Sequence, residues 1–381
     1  MKILLPVFAS LLLLSACCMD EADEAPKAVP APIAAIAPDS DTPAAPVTPP
    51  VVTPVSPSTV VTATPAVPED HLAAKPLYHD PVYDGATDPT IIWSPSDKKW
   101  FMFYTSRRAN APGLQNIESI HGSPIGIATS EDGGASWKYL HDANIIYPDA
   151  VADKTYWAPS VVEHNGLFHM YLVYVPGIFN TWDHPRFILH LTSRNLTDWQ
   201  YESTLPLSDP KAIDAGVLHL PDGTWRLWYK DEATGSSCNY ADSKDLYNWT
   251  DHGRVPGLSD RGGEAPVAFH WHGHYWLFRD IGQGMAYYRS DDAVNWVRVG
   301  PMFTDRGTGP EDTAVGHHPD IIISNDRAYI FYFVGLGRRS AIQVNELHYD
   351  ADKNILTVDR NAPTMINLQP PADVETESKF N

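Results

Sequence analysis

Cysteine is nearly absent from this chain of 381 residues: there are three, and two of them, Cys17 and Cys18, are adjacent near the N-terminus. Cys238 stands alone in the body of the sequence, so no internal disulfide can brace it. It reads as a small core residue. Positive charge is scarce as well. Lys and Arg number 27 against 47 Asp and Glu, a net charge of −20, which argues against nucleic acid and anionic membrane surfaces as partners because both would be repelled. No apolar run is long enough to cross a bilayer. The longest, Ile3 to Leu14, falls short of the ~20 residues a spanning helix needs. Signals for helices are almost missing from the rest, and no His, Cys and Asp cluster has zinc spacing.

What the N-terminus does contain is a leader. Lys2 precedes the apolar run, and LSAC (Leu14–Cys17) ends it, a pattern expected of a secretory signal over residues 1–16. The small residues before Cys17 resemble a bacterial lipobox, which implies cleavage there and lipidation of Cys17. Cys18 rather than Asp follows it, so the resemblance points to an outer-membrane lipoprotein facing the periplasm or the surface. The lipid would be its only contact with the membrane. Residues 17–75 are expected to form a tether. From Met19 to Lys75 the chain is rich in Ala, Pro, Val and Thr and has no aromatic residue, so it cannot bury enough surface to fold. Residues 76–381 remain for the folded domain, which is long enough for one large core.

That domain repeats. TDPTIIW from Thr87, WAPSVV from Trp157, IDAGVL from Ile213, EAPVAF from Glu264 and HHPDIII from His317 share one shape. Each enters an apolar strand directly after its Pro or Ala. Aligned on Pro89, Pro159, Ala215, Pro266 and Pro319, the copies lie 70, 56, 51 and 53 residues apart. A turn and an aromatic-rich strand follow each, then a third strand. In the first four copies a polar turn then leads into a Trp: SEDGGASW, SRNLTDW, SKDLYNW and SDDAVNW. Ser and Asp or Asn cap such turns through their own backbone. Short strands recurring in this order predict an all-β, five-bladed β-propeller with four-stranded antiparallel blades. Long inserts after the second strands of the first two blades, Arg107–Pro124 and Pro176–Arg186, are expected to wall the central pocket or an oligomer contact.

In a propeller the first strand of every blade faces the axis, so side chains far apart in sequence converge. Asp88, Asp214 and Glu264 are thereby expected in one pocket, at matching strand starts. An Asp before Pro, taken singly, is ordinary turn chemistry. Three acids in repeat positions supply a proton donor, a carboxylate to activate water and a third group to tune the donor. The 12 Trp and 18 Tyr of an acidic chain suit a neutral ligand with flat apolar faces, such as a sugar.

On these motifs the chain resembles glycoside hydrolase family 43 and its five-bladed relatives, including family 117, over about Asp80–Arg360. The resemblance implies a glycosidase that inverts configuration. Asp88 of TDP would be the general base, Asp214 of AIDAG the pKa modulator and Glu264 of GGEAP the general acid. Base and acid would then stand roughly 6.5–9.5 Å apart. WAPS at Trp157 and GHHPD at Gly316 match further family motifs. There are departures: Pro is missing after Asp214, Ala265 replaces Gly, and Ser160 stands where an acid is common. An arabinofuranoside, xyloside or anhydrogalactoside in a short oligosaccharide, attacked from its end, is the substrate expected by analogy. No cofactor is required, although a structural Ca²⁺ on the axis, reached by His317 through water, belongs to the same resemblance.

Further binding candidates are Trp157 for stacking on a sugar ring, His317 or His318 for orienting a carboxylate, and Arg107 and Arg338 for an anionic substituent. Asp231 and Glu232 are the acids to consider should Glu264 fail. Two other functions compete: a carbohydrate-binding lipoprotein without catalysis, and a glycoside phosphorylase, which would need Arg and His around a phosphate. A sialidase would use six blades rather than five.

Overall fold

The computed structural model describes residues 69–149, 151–208, 210–258 and 262–371. The expected leader, Cys17 and nearly all of the tether lie outside them. Within these bounds the chain is all-β, with a single helical turn at Glu118–Ile120. Five antiparallel sheets follow one another in sequence, and in each the strand order runs from axis to rim. The inner strands are Ala86–Ser94, Thr155–His164, Ala212–His219, Glu264–Trp271 and Gly316–Ser324. This is the five-bladed propeller that the repeats predict.

Blade two departs from four strands. Asn144–Ile146, from the link between the first two blades, adds a fifth strand parallel to its outermost strand, Asp198–Thr204. The connection is long enough at that one place to double back along the edge.

Why the ring holds is visible in the burial. The five large apolar clusters each sit between neighbouring blades rather than inside one. Phe103, Ile127, Met170 and Trp199 join blades one and two. Tyr171, Leu227 and Trp249 join two and three. Trp228, Leu277 and Trp296 join three and four, and Phe278, Tyr287 and Ile330 join four and five. Trp100, Tyr104, Phe331 and Val344 close five onto one. A single blade therefore exposes both apolar faces and gains its stability from its neighbours. The segment before blade one adds to closure: Leu77 donates to the Ile342 carbonyl, and His71–Leu72 pairs with Met365–Ile366.

The polar turns behave as their composition predicts. Ser130, Ser243 and Ser290 donate to Asp132, Asp245 and Asp292 at 2.7, 3.0 and 2.9 Å, and Ser193 donates to Asn195 at 3.1 Å. The Trp that follows each is buried: Trp137, Trp199, Trp249 and Trp296. These acids are structural.

Candidate active site

All five inner strands break register at one point: between Thr87 and Thr90, Trp157 and Ser160, Ile213 and Gly216, Glu264 and Val267, and His317 and Asp320. At each break one residue takes a left-handed backbone. Asp88, Ala158, Asp214, Ala265 and His318 have φ of 55°, 46°, 57°, 50° and 42°. None is glycine, and a side chain in this conformation costs roughly 1–2 kcal/mol. Such a bulge re-aims the side chain it carries. Blades one, three and five place a polar side chain there, and blades two and four place alanine.

The equivalence expected of the three acids therefore holds for Asp88 and Asp214 and fails for Glu264. Glu264 enters from the preceding position, the one held by Thr87, Trp157, Ile213 and His317 in the other blades. One residue along a strand reverses the face on which a side chain emerges. Glu264 keeps its side chain 43% exposed, whereas Asp88 and Asp214 are only 4% and 7% exposed. Ala265, at the next position, adopts the left-handed backbone at a cost in strain.

Electrostatics pull these carboxyls apart. Burial alone would raise the pKa of Asp88, but Arg107, His318 and the hydroxyls of Thr105 and Thr87 outweigh it and hold the group below its usual value. Arg107 Nη2 is 3.6 Å and His318 Nδ1 3.4 Å from Asp88 Oδ1, and Thr87 Oγ1 donates to Oδ2 at 3.0 Å. Asp214 goes the other way, to about 7. Burial is the largest cause and the charge of Glu264 adds to it, while His318 and Lys230 only partly offset them. Asp88 also acts on Asp214, so the three acids expected to converge are one interacting group. The raised pKa belongs to Asp214, a carboxyl buried beside the charge of Glu264.

Lys230 lies near the expected pocket by its place in the sequence, which gives it no role there. It ends the second strand of blade three beside the considered Asp231 and Glu232. Its buried Nζ lies 3.0 Å from Glu264 Oε2 and 2.8 Å from Glu232 Oε1. Burial would discharge an amine, but Glu264, Glu232 and Asp214 together raise its pKa. Arg186 pairs with the far side of Glu232. Asp231 caps its own turn through the amides of Ala233 and Thr234, at 2.8 and 3.1 Å. Glu232 is held by two cations. A Lys directly before two acids in WYKDE was the available signal.

The two histidines separate in space. His318 faces Asp88, while His317 Nδ1 bonds Asp280 Oδ2 at 2.9 Å and its ring stacks on Phe333. Burial would lower the pKa of His317, but Asp280 raises it. Arg107 lies over the same Phe333 ring, 5.1 Å from its centroid, and belongs to the pocket. Arg338 does not join the charges that act on Asp214; it is exposed and donates to the Leu114 carbonyl at 2.7 Å, tying blade five to the first insert. A divalent ion held directly needs several hard donors together, and among the described residues no three His, Cys, Asp or Glu side chains are grouped in that way.

Trp157 projects among the two inserts. Its Nε1 donates to the Ile120 carbonyl at 2.5 Å, and its ring meets those of His121, Trp182 and His184 at 5.1, 6.3 and 5.9 Å. The two inserts meet around it in an aromatic wall.

No family profile and no curated protein matches the sequence. Solved structures do. The chain is similar to a thermostable family-43 glycoside hydrolase, with a TM-score of 0.60 at 17% identity, over 77% of this chain and 100% of the other. A family-43 β-xylosidase/α-arabinofuranosidase from a compost metagenome, solved with xylotriose in a calcium-free form, superposes at 0.58 with 16% identity, covering 77% and 98%. A family-43 β-1,3-galactosidase with galactodeoxynojirimycin gives 0.55 at 14% identity, covering 72% and 93%. The fold is that of the family-43 propellers. At these identities it is the fold alone that is shared.

Proposed function

We propose that the protein is a glycoside hydrolase that inverts configuration, with Asp88 as general base, Glu264 as general acid and Asp214 as the group that tunes the acid. One observation carries this reading: Asp88 and Asp214 belong to a single interacting group yet are driven in opposite directions. Pairs of carboxyls pushed apart by their surroundings mark acid and base. Asp88 is ionised at neutral pH and can accept a proton from water as the water oxygen attacks the anomeric carbon. Asp214 retains a proton to about pH 7, raised in part by the charge of Glu264, because like charges resist joint ionisation. Glu264 is the member that reaches solvent. It delivers the proton to the glycosidic oxygen as the carbon–oxygen bond breaks, releasing an alcohol and a hemiacetal of inverted anomer. Exchange with water then resets both carboxyls.

The competing reading, a sugar-binding protein without catalysis, draws on the Arg107 beside Asp88, which keeps that acid charged. It leaves the retained proton on Asp214 without a use. By analogy with the named neighbours, among them an exo-1,5-α-L-arabinanase, the substrate is a short oligosaccharide ending in an arabinofuranoside or xyloside; an anhydrogalactoside rests on the family-117 resemblance alone. We also propose lipidation at Cys17 and an outer-membrane location; Cys17→Ala would release the protein into the soluble periplasmic fraction if so.

The test is hydrolysis of nitrophenyl glycosides and plant and algal oligosaccharides by wild type, Asp88→Asn and Glu264→Gln. Each variant is expected to lose roughly 10²–10⁴-fold in kcat with the fold intact. Activity surviving both changes would overturn the site, and binding without hydrolysis by the wild type would establish the competing reading.

A further inference from the structure

The wall built by the two inserts has the properties of a second sugar-binding position. Trp182 is 56% exposed although it sits in a cluster with Trp157, His121, Phe179 and His184. Its neighbours are fixed. Arg108 donates to the carbonyls of His121 and Glu118 at 2.6 and 2.9 Å. Thr155 joins the inserts, accepting from the Gly122 amide at 2.6 Å and donating to the Gly177 carbonyl at 2.8 Å. Arg186 holds the second insert by donating to the Trp182 carbonyl at 3.0 Å. Burial lowers the pKa of His121 to about 4 and that of His184 as well. Both histidines of the wall are therefore uncharged near neutral pH.

A rigid, neutral indole open to solvent is a stacking surface, and its ordering cost is met before any ligand arrives. Its position relative to the chemistry follows from one chain of ion pairs. Arg186, which fixes Trp182, pairs with Glu232; Glu232 pairs with Lys230; Lys230 pairs with Glu264. The wall is thus tied to the group that protonates the leaving oxygen.

We propose that Trp182, backed by Trp157 and His121, stacks on the sugar ring of the leaving group and selects oligosaccharides over substrates without such a ring. This rests on the glycosidase reading above. Substrate preference then comes from the inserts rather than from the carboxylates, and the ligand class is a neutral pyranose or furanose ring.

The test compares one trisaccharide, xylotriose or 1,5-arabinotriose according to the activity found, with the glycosyl fluoride of the same sugar, whose leaving group has no ring. For Trp182→Ala the ratio of kcat/KM between trisaccharide and fluoride is expected to fall about tenfold, and for Trp182→Phe by much less. A ratio unchanged within about twofold would overturn the proposal. Should the wild type hydrolyse neither substrate, the glycosidase reading fails separately. Calorimetric titration with the same trisaccharide then decides: about tenfold weaker binding by Trp182→Ala supports the stacking position, and equal or absent binding in both proteins overturns it.

Discussion

Replacing Asp214 by Asn should stabilise the protein in alkali and leave it nearly unchanged in acid. The side chains have the same shape, and an Asn oxygen can still accept from the Ala265 amide, as Asp214 Oδ2 does at 3.3 Å. The difference is the proton. Asp214 titrates at about 7 when folded against 3.8 for an unperturbed group, so the folded state binds that proton more tightly than the unfolded chain does. Stability from this source is complete below about pH 4 and is lost as the pH rises through 7. The span corresponds to roughly 4 kcal/mol, and relaxation around the ionised group brings the expected effect to about 2–4 kcal/mol. Asn has no proton to lose. At pH 4 the two proteins should agree within about 1 kcal/mol, whereas at pH 8.5 the variant should melt roughly 5 °C higher, taking ~2 °C per kcal/mol for a domain of this size. Thermal unfolding at the two pH values is the assay. A difference in Tm that is the same at both would refute the assignment of the retained proton to Asp214. The variant should also lose activity, stability rising where catalysis had required a strained group.

Two further outcomes follow from the same geometry. Lys230→Met removes the cation between Glu232 and Glu264. Asp214 then loses one of the charges that lower its pKa, so the alkaline limb of the pH profile should move upward, while kcat falls about tenfold as Glu264 loses its 3.0 Å partner; an unmoved profile would count against the proton retained on Asp214. Gly216→Ala would place a methyl 1.9 Å from the Pro266 carbonyl oxygen of the next inner strand, which forces blades three and four apart. A loss of about 1–3 kcal/mol is expected, read as a lower Tm; an unchanged Tm would show that the axis is not tightly packed there.

The repeat was legible without coordinates because a blade is a local unit. Its strands are successive, so the spacing of TDP, WAP, IDA, EAP and HHP and the recurring Trp after each polar turn carry the architecture directly. The convergence of Asp88, Asp214 and Glu264 followed from the axis that such a repeat implies. What spacing could not carry was the local backbone. The bulge gives Asp88, Asp214 and His318 one setting and shifts Glu264 and His317 by a residue, and a shift of one residue in a strand exchanges faces. That is why His318, rather than His317, meets Asp88.

Protonation and substrate preference likewise depend on neighbours contributed by other blades. Asp88 and Asp214 have the same side chain and the same backbone bend, yet Arg107 and His318 keep one charged while burial and Glu264 keep a proton on the other. Sequence alone determined the five blades and the acids that line their axis, since both follow from periodicity. Only the tertiary structure decided which acid holds the proton, that Lys230 lies between Glu232 and Glu264, and that two unrelated inserts meet in an aromatic wall. Charge and packing act through distance in space, which spacing along a chain does not record.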